Sequence, residues 1–382
     1  MLIAISNVPR EYSWGSVDLI PELEGRAPTG RPEAEVWFGA HPGSPARTAD
    51  GRGLDAVLAD AGQPPLPYLL KILAAGMSLS IQAHPSKDEA VRGFAREEAA
   101  GIPRDADART YRDDNHKPEI IVALSERFRA LVGLRPLEPT RRLLGELGET
   151  PGVRALADRL SGDDDAAALK DALAWVLSGD AQREVDDVIA ALAATGPDGA
   201  FAEEFDVLRR IAQDFPGDPG VVVALLMNLV VLRRGEALYA PAGVLHAYQD
   251  GLGIELMAAS DNVLRGGLTP KHVDVGELLR IVETTPGPAP VVTPQRRDGV
   301  DVYDVGVADF SLLRLEVHAG EPRTVELDGP TLILVTRGDV EATAGATSVP
   351  LAVGRAAFAS ADEARVTLRG AAEVFVARPG IR

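Results

Sequence analysis

The chain contains no cysteine in its 382 residues. This absence excludes disulfide bonds, thiolate metal ligands and a cysteine nucleophile. It is consistent with the cytoplasmic location that we expect, although cysteine usage alone does not define a compartment.

Basic residues are scarce as well. The 39 lysines and arginines are outnumbered by 57 aspartates and glutamates, which gives a net charge of −18. A nucleic acid partner is therefore not expected, because a phosphate backbone needs a basic face. An acidic protein that binds an anionic substrate must concentrate its few cations in the site, so any lysine or arginine near a candidate site carries extra weight.

Long hydrophobic runs are absent too. The longest nearly apolar segment, 221–232, contains Asn228 and is shorter than the roughly 20 residues that span a bilayer. It indicates a buried core segment. Residues 1–6 lack the basic region and long apolar run of a signal peptide. We therefore expect no membrane partner.

The remaining composition is that of a globular protein with two or three domains, at 46% hydrophobic and 25% charged residues. Short apolar runs bounded by turn residues predict strands at 79–83, 120–124 and 130–134. From residue 138 to about 219 helical spacing takes over, most clearly at 166–177 and 185–192. This stretch predicts four to six helices, and we expect no chemistry in it.

Strand character returns after residue 229, and a Pro-rich linker occupies 284–290. Beyond it, alternating apolar residues at 312–317 and 331–335 predict an all-β sandwich or barrel of about 90 residues. No metal site is expected there, because its one histidine is His318.

Three separate segments carry residues suited to metal binding. Gln82 and His84 lie two apart in a predicted strand and so point to the same side, offering an amide oxygen and an imidazole nitrogen. His246 ends a strand–turn–strand segment, and Glu119 adds a carboxylate. Such a nitrogen–oxygen set suits a borderline divalent metal.

The spacing around these residues resembles the signature of the cupins, a family of jelly-roll barrels. Gly76 is followed by five residues and then Gln82-Ala83-His84, and Gly235 by five residues, Pro241, four more and His246. Cupins normally have histidine in place of Gln82. They also have a glutamate four or five residues after the second ligand, where Asp88 and Glu89 lie, so Glu89 is a rival to Glu119.

The whole set of motifs resembles the type I phosphomannose isomerases. The matching stretches lie in the same order in the chain, at 12–15, 34–39, 66–71, 79–85, 115–119, 239–248 and 253–271. The helical stretch and the C-terminal barrel match in position and character rather than in motif.

The resemblance implies a fold that is mainly β with an α insertion, namely two jelly-roll (cupin-like) barrels plus a helical subdomain. The expected domains are a catalytic one at 1–137 and 220–284, an inserted helical one at 138–219, and a C-terminal β-barrel at 291–382. It also implies one Zn²⁺ per chain. The implied zinc ligands are Gln82, His84, Glu119 and His246.

The implied reaction interconverts mannose 6-phosphate and fructose 6-phosphate through a cis-enediol. Arg265 matches the arginine of the family active site, and its fork suits either an enediolate or a phosphate. Lys117 is a candidate contact for substrate oxygens. Glu255 is favoured as the base, while Asp261 is the alternative or orients Arg265. Further substrate-binding candidates are Ser80, Lys71 and His116, of which His116 is also a candidate base.

Two other functions stay open at this point. One is a non-catalytic metal-binding cupin that senses a sugar phosphate, and the other is an iron-dependent oxygenase. The partner expected in the main interpretation is a small sugar phosphate. We expect a monomer, with an oligomer not excluded. The expected metabolic role is either mannose catabolism or the supply of mannose for GDP-mannose.

Overall fold

The computed structural model describes residues 1–196 and 198–380, and this part of the chain forms two antiparallel sheets of ten strands each, plus ten helices. The helices are α1 (Leu19–Glu24), α2 (Leu54–Asp60), α3 (Lys87–Ala99), α4 (Leu137–Leu147), α5 (Pro151–Arg159), α6 (Asp165–Leu177), α7 (Gln182–Ala194), α8 (Ala202–Asp214), α9 (Gly220–Leu226) and α10 (Val275–Ile281). The strands are β1 (Leu2–Ser6), β2 (Glu35–Phe38), β3 (Arg47–Thr48), β4 (Tyr68–Ala75), β5 (Gln82–Ala83), β6 (Glu119–Ala123), β7 (Phe128–Leu134), β8 (Met227–Leu232), β9 (Ala237–Ala240), β10 (His246–Ala258), β11 (Leu264–Arg265), β12 (Val291–Val292), β13 (Gln295–Arg297), β14 (Val300–Tyr303), β15 (Ser311–Val317), β16 (Arg323–Glu326), β17 (Thr331–Ala344), β18 (Thr347–Ala352), β19 (Ala356–Ala359) and β20 (Arg365–Arg378). The prediction of a mainly β fold with helices between its strands is confirmed.

Strand β10 organises the first sheet, whose main path is β11-β5-β10-β6-β9-β12. Its first half pairs with β5 and β7, and its second half pairs with β4 and β6. Gly251 lies where the partners change, at φ +123°, and a Cβ there would lie 2.7 Å from Cδ2 of Phe128. Only glycine allows this backbone conformation together with so close an approach.

The second sheet follows β13-β14-β15-β20-β17-β19-β1-β3, with β16 beside β20 and β18 beside β17. It takes in the N-terminal strand, where Leu2 pairs with Ala359, although that strand falls within the expected 1–137 domain. Conversely, Val291 of β12 pairs with Leu238 of the first sheet. Apolar alternation predicts a strand but not its partner. The division into three domains stays a prediction.

Six helices, α4 to α9, lie between β7 and β8, and five of them, α4 to α8, occupy the stretch for which four to six helices were predicted. The helices predicted at 166–177 and 185–192 are α6 and α7. The Asp164 side chain caps α6 by accepting the N–H of Ala167 at 3.0 Å. The buried segment predicted at 221–232 is confirmed as buried only for its helical part, since it divides into the buried helix α9 and the partly exposed strand β8.

The predicted strand 79–83 is wrong for its first three residues, because only Gln82 and Ala83 join a ladder. The backbone N–H groups of Leu79 and Ile81 bond instead to the carbonyl groups of Tyr248 and Gly267, at 2.9 and 3.1 Å. These bonds hold the segment beside the start of β10 and beside the backbone of Gly267.

The main core between the two sheets determines where the charged residues of the first sheet lie. Alternate residues of β4, β6 and β10, such as Leu70, Ile120 and Ile254, pack against Phe358 and Phe375 of the second sheet. The residues between them, which include Lys71, Glu119 and Glu255, therefore point to the opposite face. Among the helices that the structure describes, none is both long and apolar enough to cross a membrane.

Candidate metal centre and cavity

A cavity of about 460 Å³ opens on this opposite face of the first sheet. Charged residues of several strands line it, among them Lys71 of β4, Glu119 of β6 and Glu255 of β10. Tyr12 and Trp14, whose rings stack at 5.7 Å between centroids, form part of the wall. The cavity therefore combines a buried charged floor with an aromatic wall.

Two histidines converge on Glu119 at the cavity floor. His84 Nε2 lies 3.4 Å from Oε1 of Glu119, and His246 Nε2 lies 3.3 Å from Oε2. All three side chains are buried, and their candidate ligand atoms lie within 4.8 Å of one another. Residues separated by up to 162 positions in sequence are thus brought to one point by β6 and β10.

Backbone carbonyl groups fix how both histidines are protonated. His84 Nδ1 lies 2.7 Å from the carbonyl oxygen of Asn262, and His246 Nδ1 lies 3.0 Å from that of Val244. Each Nδ1 must therefore carry the proton, so that each Nε2 presents a lone pair towards Glu119. Burial, reinforced by the charge of Lys117, lowers the pKa of His84 to about 4 and keeps it neutral.

The arrangement fits a metal ion. His84 Nε2 is fully buried and has no hydrogen-bond partner among the described residues, which is costly unless a metal accepts its lone pair. Tetrahedral zinc ligands at about 2.0–2.2 Å from the metal lie about 3.3–3.6 Å from one another. The separations of 3.3 and 3.4 Å agree with this geometry.

Gln82 lies next to this cluster. It is the cross-strand partner of His246 on β10 and of Arg265 on β11, so these three side chains share one face. Its amide nitrogen donates to Oγ of Ser80 at 3.2 Å, which leaves the amide oxygen available as a fourth ligand.

Lys117 pairs with the same carboxylate, its Nζ lying 2.6 Å from Oε1 of Glu119. Burial opposes ionisation of Glu119. The charge of Lys117 nevertheless holds the pKa of its carboxyl well below the ordinary value. The cluster therefore presents a negative charge, as a cation site requires.

A second buried pair lies beside the metal cluster. Lys71 Nζ lies 2.8 Å from Oε2 of Glu255 and 3.3 Å from Oε1 of Glu35. Burial raises the pKa of Glu255, and the negative charge of Glu119 adds to this effect against the opposing charge of Lys71. A carboxylate with a raised pKa in a cavity is a candidate proton acceptor.

Two cations line the cavity, and a third, Arg112, lies near them. Arg265 and Lys271 line it, and among the described residues neither they nor Arg112 has a carboxylate within ion-pair distance. Burial lowers the pKa of Arg265, and Arg112 lowers it further. Burial, Arg265 and Arg112 likewise lower the pKa of Lys271. Unpaired cations in a chain of net charge −18 indicate a place for an anion.

Two predicted site residues lie outside the cavity. Asp261, expected as a base or as the partner of Arg265, contacts His41 instead, with Oδ1 3.1 Å from Nε2. His116 lies 2.8 Å from Oδ2 of Asp309. Both belong to loops beyond the strand ends, where alternation no longer determines which way a side chain points.

The rival carboxylate Glu89 has a different role. It forms a capping box with Ser86 at the start of α3, where its Oε2 accepts the N–H of Ser86 at 3.0 Å. The cupin spacing therefore does not place this glutamate in the metal cluster. The predicted candidates Ser80, Lys71, Lys117, Glu255 and Arg265 all line the cavity.

Several residues at or near the cavity were not predicted from the sequence, and three of them bear on its chemistry or shape. Lys271 ends the matched stretch 253–271, and Arg112 precedes 115–119, so the scarcity of cations was a usable signal for both. Phe215 also lines the cavity, although it follows α8 in the stretch where no chemistry was expected. No motif in the sequence marks it.

The fold and this site define a metalloprotein with a nitrogen–oxygen metal centre at the floor of a charged cavity on a β-sheet. The family model described as phosphomannose isomerase type I, catalytic domain, matches residues 2–137. Mannose-6-phosphate isomerase of Escherichia coli K12 is 34% identical over 383 residues, which cover 95% of this chain and 96% of that protein. The chain belongs to the type I phosphomannose isomerase family, as its motifs predicted.

More distant relatives and a solved structure agree with this assignment. Human mannose-6-phosphate isomerase is 29% identical over 398 residues, covering 92% of this chain and 91% of that protein. A crystal structure of zinc-bound mannose 6-phosphate isomerase superposes with a TM-score of 0.88 at 32% identity, covering all of both chains.

Proposed function

We propose that this chain is a zinc-dependent aldose–ketose isomerase that interconverts mannose 6-phosphate and fructose 6-phosphate through a cis-enediol. One observation carries the proposal. Glu119 and His246 of the metal cluster line the same cavity as the buried Glu255–Lys71 pair and the unpaired Arg265. Relatives named mannose-6-phosphate isomerase that match nearly the whole chain support it.

The residues that would hold zinc are Gln82, His84, Glu119 and His246. When bound there, zinc supplies a Lewis acid that polarises the sugar carbonyl and stabilises negative charge developing on its oxygens. The chain itself must then supply a base that accepts the carbon-bound proton and side chains that bind the phosphate.

Glu255 is the proposed base. Acting on mannose 6-phosphate, it takes the proton from C2 and returns it to C1, while a proton passes from the C2 hydroxyl to the carbonyl oxygen at C1. Its raised pKa brings its proton affinity closer to neutral pH than that of an exposed glutamate. Lys71 was predicted as a phosphate contact. It lies between two carboxylates instead, and we assign it the role of positioning Glu255.

The remaining polar residues of the cavity are proposed to bind the phosphate and the sugar oxygens. Arg265 and Lys271 lack carboxylate partners among the described residues and line the cavity, which favours them as phosphate contacts, with the Ser80 hydroxyl as a further donor. Lys117 is proposed to contact substrate oxygens near Glu119. His116 and Asp261 receive no role, because each is paired away from the cavity.

Finer features of the fold belong to the same proposal. The exchange of partners along β10 supports a first sheet closed as a cupin-like jelly roll, with a second barrel formed largely by residues 291–380. We further propose a cytoplasmic monomer that acts on a small sugar phosphate and binds no nucleic acid. The acidic composition supports the last point.

The test is a coupled assay for conversion of mannose 6-phosphate to fructose 6-phosphate. The protein is stripped with a chelator, assayed, reloaded with Zn²⁺ and assayed again. Activity that disappears on stripping and returns on reloading supports the isomerase. Stoichiometric zinc binding without activity in either state would favour a sugar-phosphate sensor instead. Oxygen uptake with a sugar substrate would favour the oxygenase.

A further inference from the structure

Asp218 joins the helical stretch to the segment that carries the cavity cations. It lies between α8 and α9, and its Oδ1 accepts the backbone N–H groups of Gly220 at 2.7 Å and Leu268 at 3.1 Å. Its Oδ2 accepts the N–H of Thr269 at 3.2 Å. One carboxylate thus binds amides from two parts of the chain, and charge-assisted bonds of this kind are the stronger ones.

The two segments also pack against each other without side chains between them. A Cβ on Gly267 would lie 2.5 Å from Cα of Gly220, and a Cβ on Gly220 would lie 2.5 Å from the nitrogen of Leu268. Leu268 is buried and has φ +56°, a conformation that a leucine rarely adopts. Such a backbone persists only where its surroundings hold it in place.

The segment held in this way forms one side of the cavity. Arg265, Thr269 and Lys271 line the cavity from it, and Phe215 lines the cavity three residues before Asp218. On its N-terminal side the segment is bonded to Ile81, which accepts the N–H of Gly266 at 2.8 Å. On its C-terminal side the amides of residues 268 and 269 are held by Asp218.

We propose that Asp218 is a positioning residue for binding of the substrate phosphate, and that through it the helical stretch helps to shape the active site. This inference rests on the proposed function. Without the carboxylate, the amides of Leu268 and Thr269 lose their acceptors, and Leu268 is free to leave its unfavourable backbone conformation. Lys271 then loses its fixed place at the cavity, whereas none of the hydrogen bonds of Asp218 goes to His84, Glu119 or His246.

The experiment compares Asp218→Ala, Asp218→Asn and the control Asp214→Asn, since Asp214 is exposed and makes no side-chain hydrogen bond among the described residues. For Asp218→Ala we expect KM for mannose 6-phosphate to rise about tenfold or more, with kcat changed less than about threefold and zinc content unchanged. Asp218→Asn keeps one oxygen acceptor, so its KM should lie between those of the wild type and Asp218→Ala. The control should behave as wild type.

A purely structural role would give a different result. The melting temperature, kcat and zinc content would then fall together in Asp218→Ala while KM stayed constant, and this outcome would overturn the proposal. Unchanged kinetics in both Asp218 variants would overturn it as well.

Two further measurements keep this test separate from that of the isomerase. Hydrogen exchange at the amides of Leu268 and Thr269, and calorimetric binding of inorganic phosphate to the zinc-loaded protein, do not require turnover. Faster exchange together with phosphate binding weakened about tenfold or more supports the positioning role even if wild-type protein has no isomerase activity. Unchanged exchange and unchanged phosphate binding would refute it even in an active enzyme.

Discussion

Lys71 and Glu255 face each other directly on the antiparallel strands β4 and β10, with Nζ 2.8 Å from Oε2. Both side chains are buried, and the residues on either side of them in each strand pack into the core between the sheets. Burial acts to lower the pKa of Lys71, but Glu255, Glu35 and Glu119 together raise it, so the lysine stays charged. The pair therefore couples the proton affinity of Glu255 to one neighbouring cation.

Replacing Lys71 by methionine removes the charge that lowers the pKa of Glu255. The pKa of Glu255 should then rise further, so that a higher pH is needed to ionise the base. We expect the acidic limb of the kcat/KM profile to move up by about one pH unit or more. The measurement is the pH profile from pH 5 to 9, with Lys71→Arg as the variant that keeps the charge. An unmoved acidic limb in Lys71→Met would argue against Glu255 as the base.

Replacing Glu119 by glutamine removes the carboxylate on which both histidines converge. We expect zinc affinity to fall by about 100-fold or more, because the neutral amide is a weaker ligand for a cation. Competition with a chromogenic chelator measures the affinity. Glu89→Gln is the matched control, since glutamine also serves in a capping box. Equal zinc affinity in the two variants would contradict the assigned cluster.

Replacing Arg265 by alanine should leave zinc binding intact, because Arg265 takes no part in the ion pairs and hydrogen bonds of His84, Glu119 and His246. Turnover should fall by about 100-fold or more, since a bidentate cation is lost from the cavity. Zinc content and kcat are measured on the same preparation. Arg142→Ala, on the exposed side of α4, controls for loss of a surface charge. Near-normal turnover would remove Arg265 from the residues proposed to bind the substrate.

The Glu277 carboxylate receives hydrogen bonds from Arg280, Tyr111 and Arg96 at 2.7, 2.5 and 2.8 Å. Burial opposes its ionisation, but these three groups lower its pKa to about 2. Because this folded-state pKa lies below the ordinary value of about 4.3, the stabilisation is complete above about pH 5 and is lost as the pH falls towards 2.

Glu277→Gln should therefore be less stable than wild type by about 1 kcal/mol at pH 6, a modest figure because the pairs are partly exposed to solvent. The difference should shrink at pH 4 and nearly disappear at pH 2.5. Urea unfolding at the three pH values gives the comparison. A difference that stays constant with pH would show that the carboxylate charge is not responsible.

Gly251 and Gly145 provide a matched pair for backbone effects. Alanine at Gly251 would have to adopt a positive φ, and its Cβ would lie 2.7 Å from Cδ2 of Phe128. The free energy of unfolding should therefore fall by about 2 kcal/mol or more. Gly145 lies in α4 with no atom within 4 Å of its added Cβ, so alanine there should stabilise by about 0.5–1 kcal/mol. Equal effects of the two substitutions in urea unfolding would contradict this account of β10.

Much of the site was readable from single residues and their spacing. His84, Glu119 and His246 were predicted as ligands, and their side chains do converge. Glu255 was favoured over Asp261 as the base, and of these two residues only Glu255 lines the cavity. The helices α6 and α7 were likewise predicted from helical spacing. These features depend on the chemistry of a residue and on alternation or helical period, both of which are local.

Other relationships needed the folded chain. The contact of Asp261 with His41, the place of Phe215 in the cavity wall and the bonds from Asp218 to Leu268 join residues far apart in sequence. The same holds for β1, which pairs in the second sheet.

The sequence by itself determined which residue types the site contains and on which face of each strand they lie, because side-chain direction follows a period of two. Only the tertiary structure decided which strands are neighbours and where the loops end. Those choices depend on how the two sheets and the helices bury their apolar faces together, and that burial is a property of the whole chain.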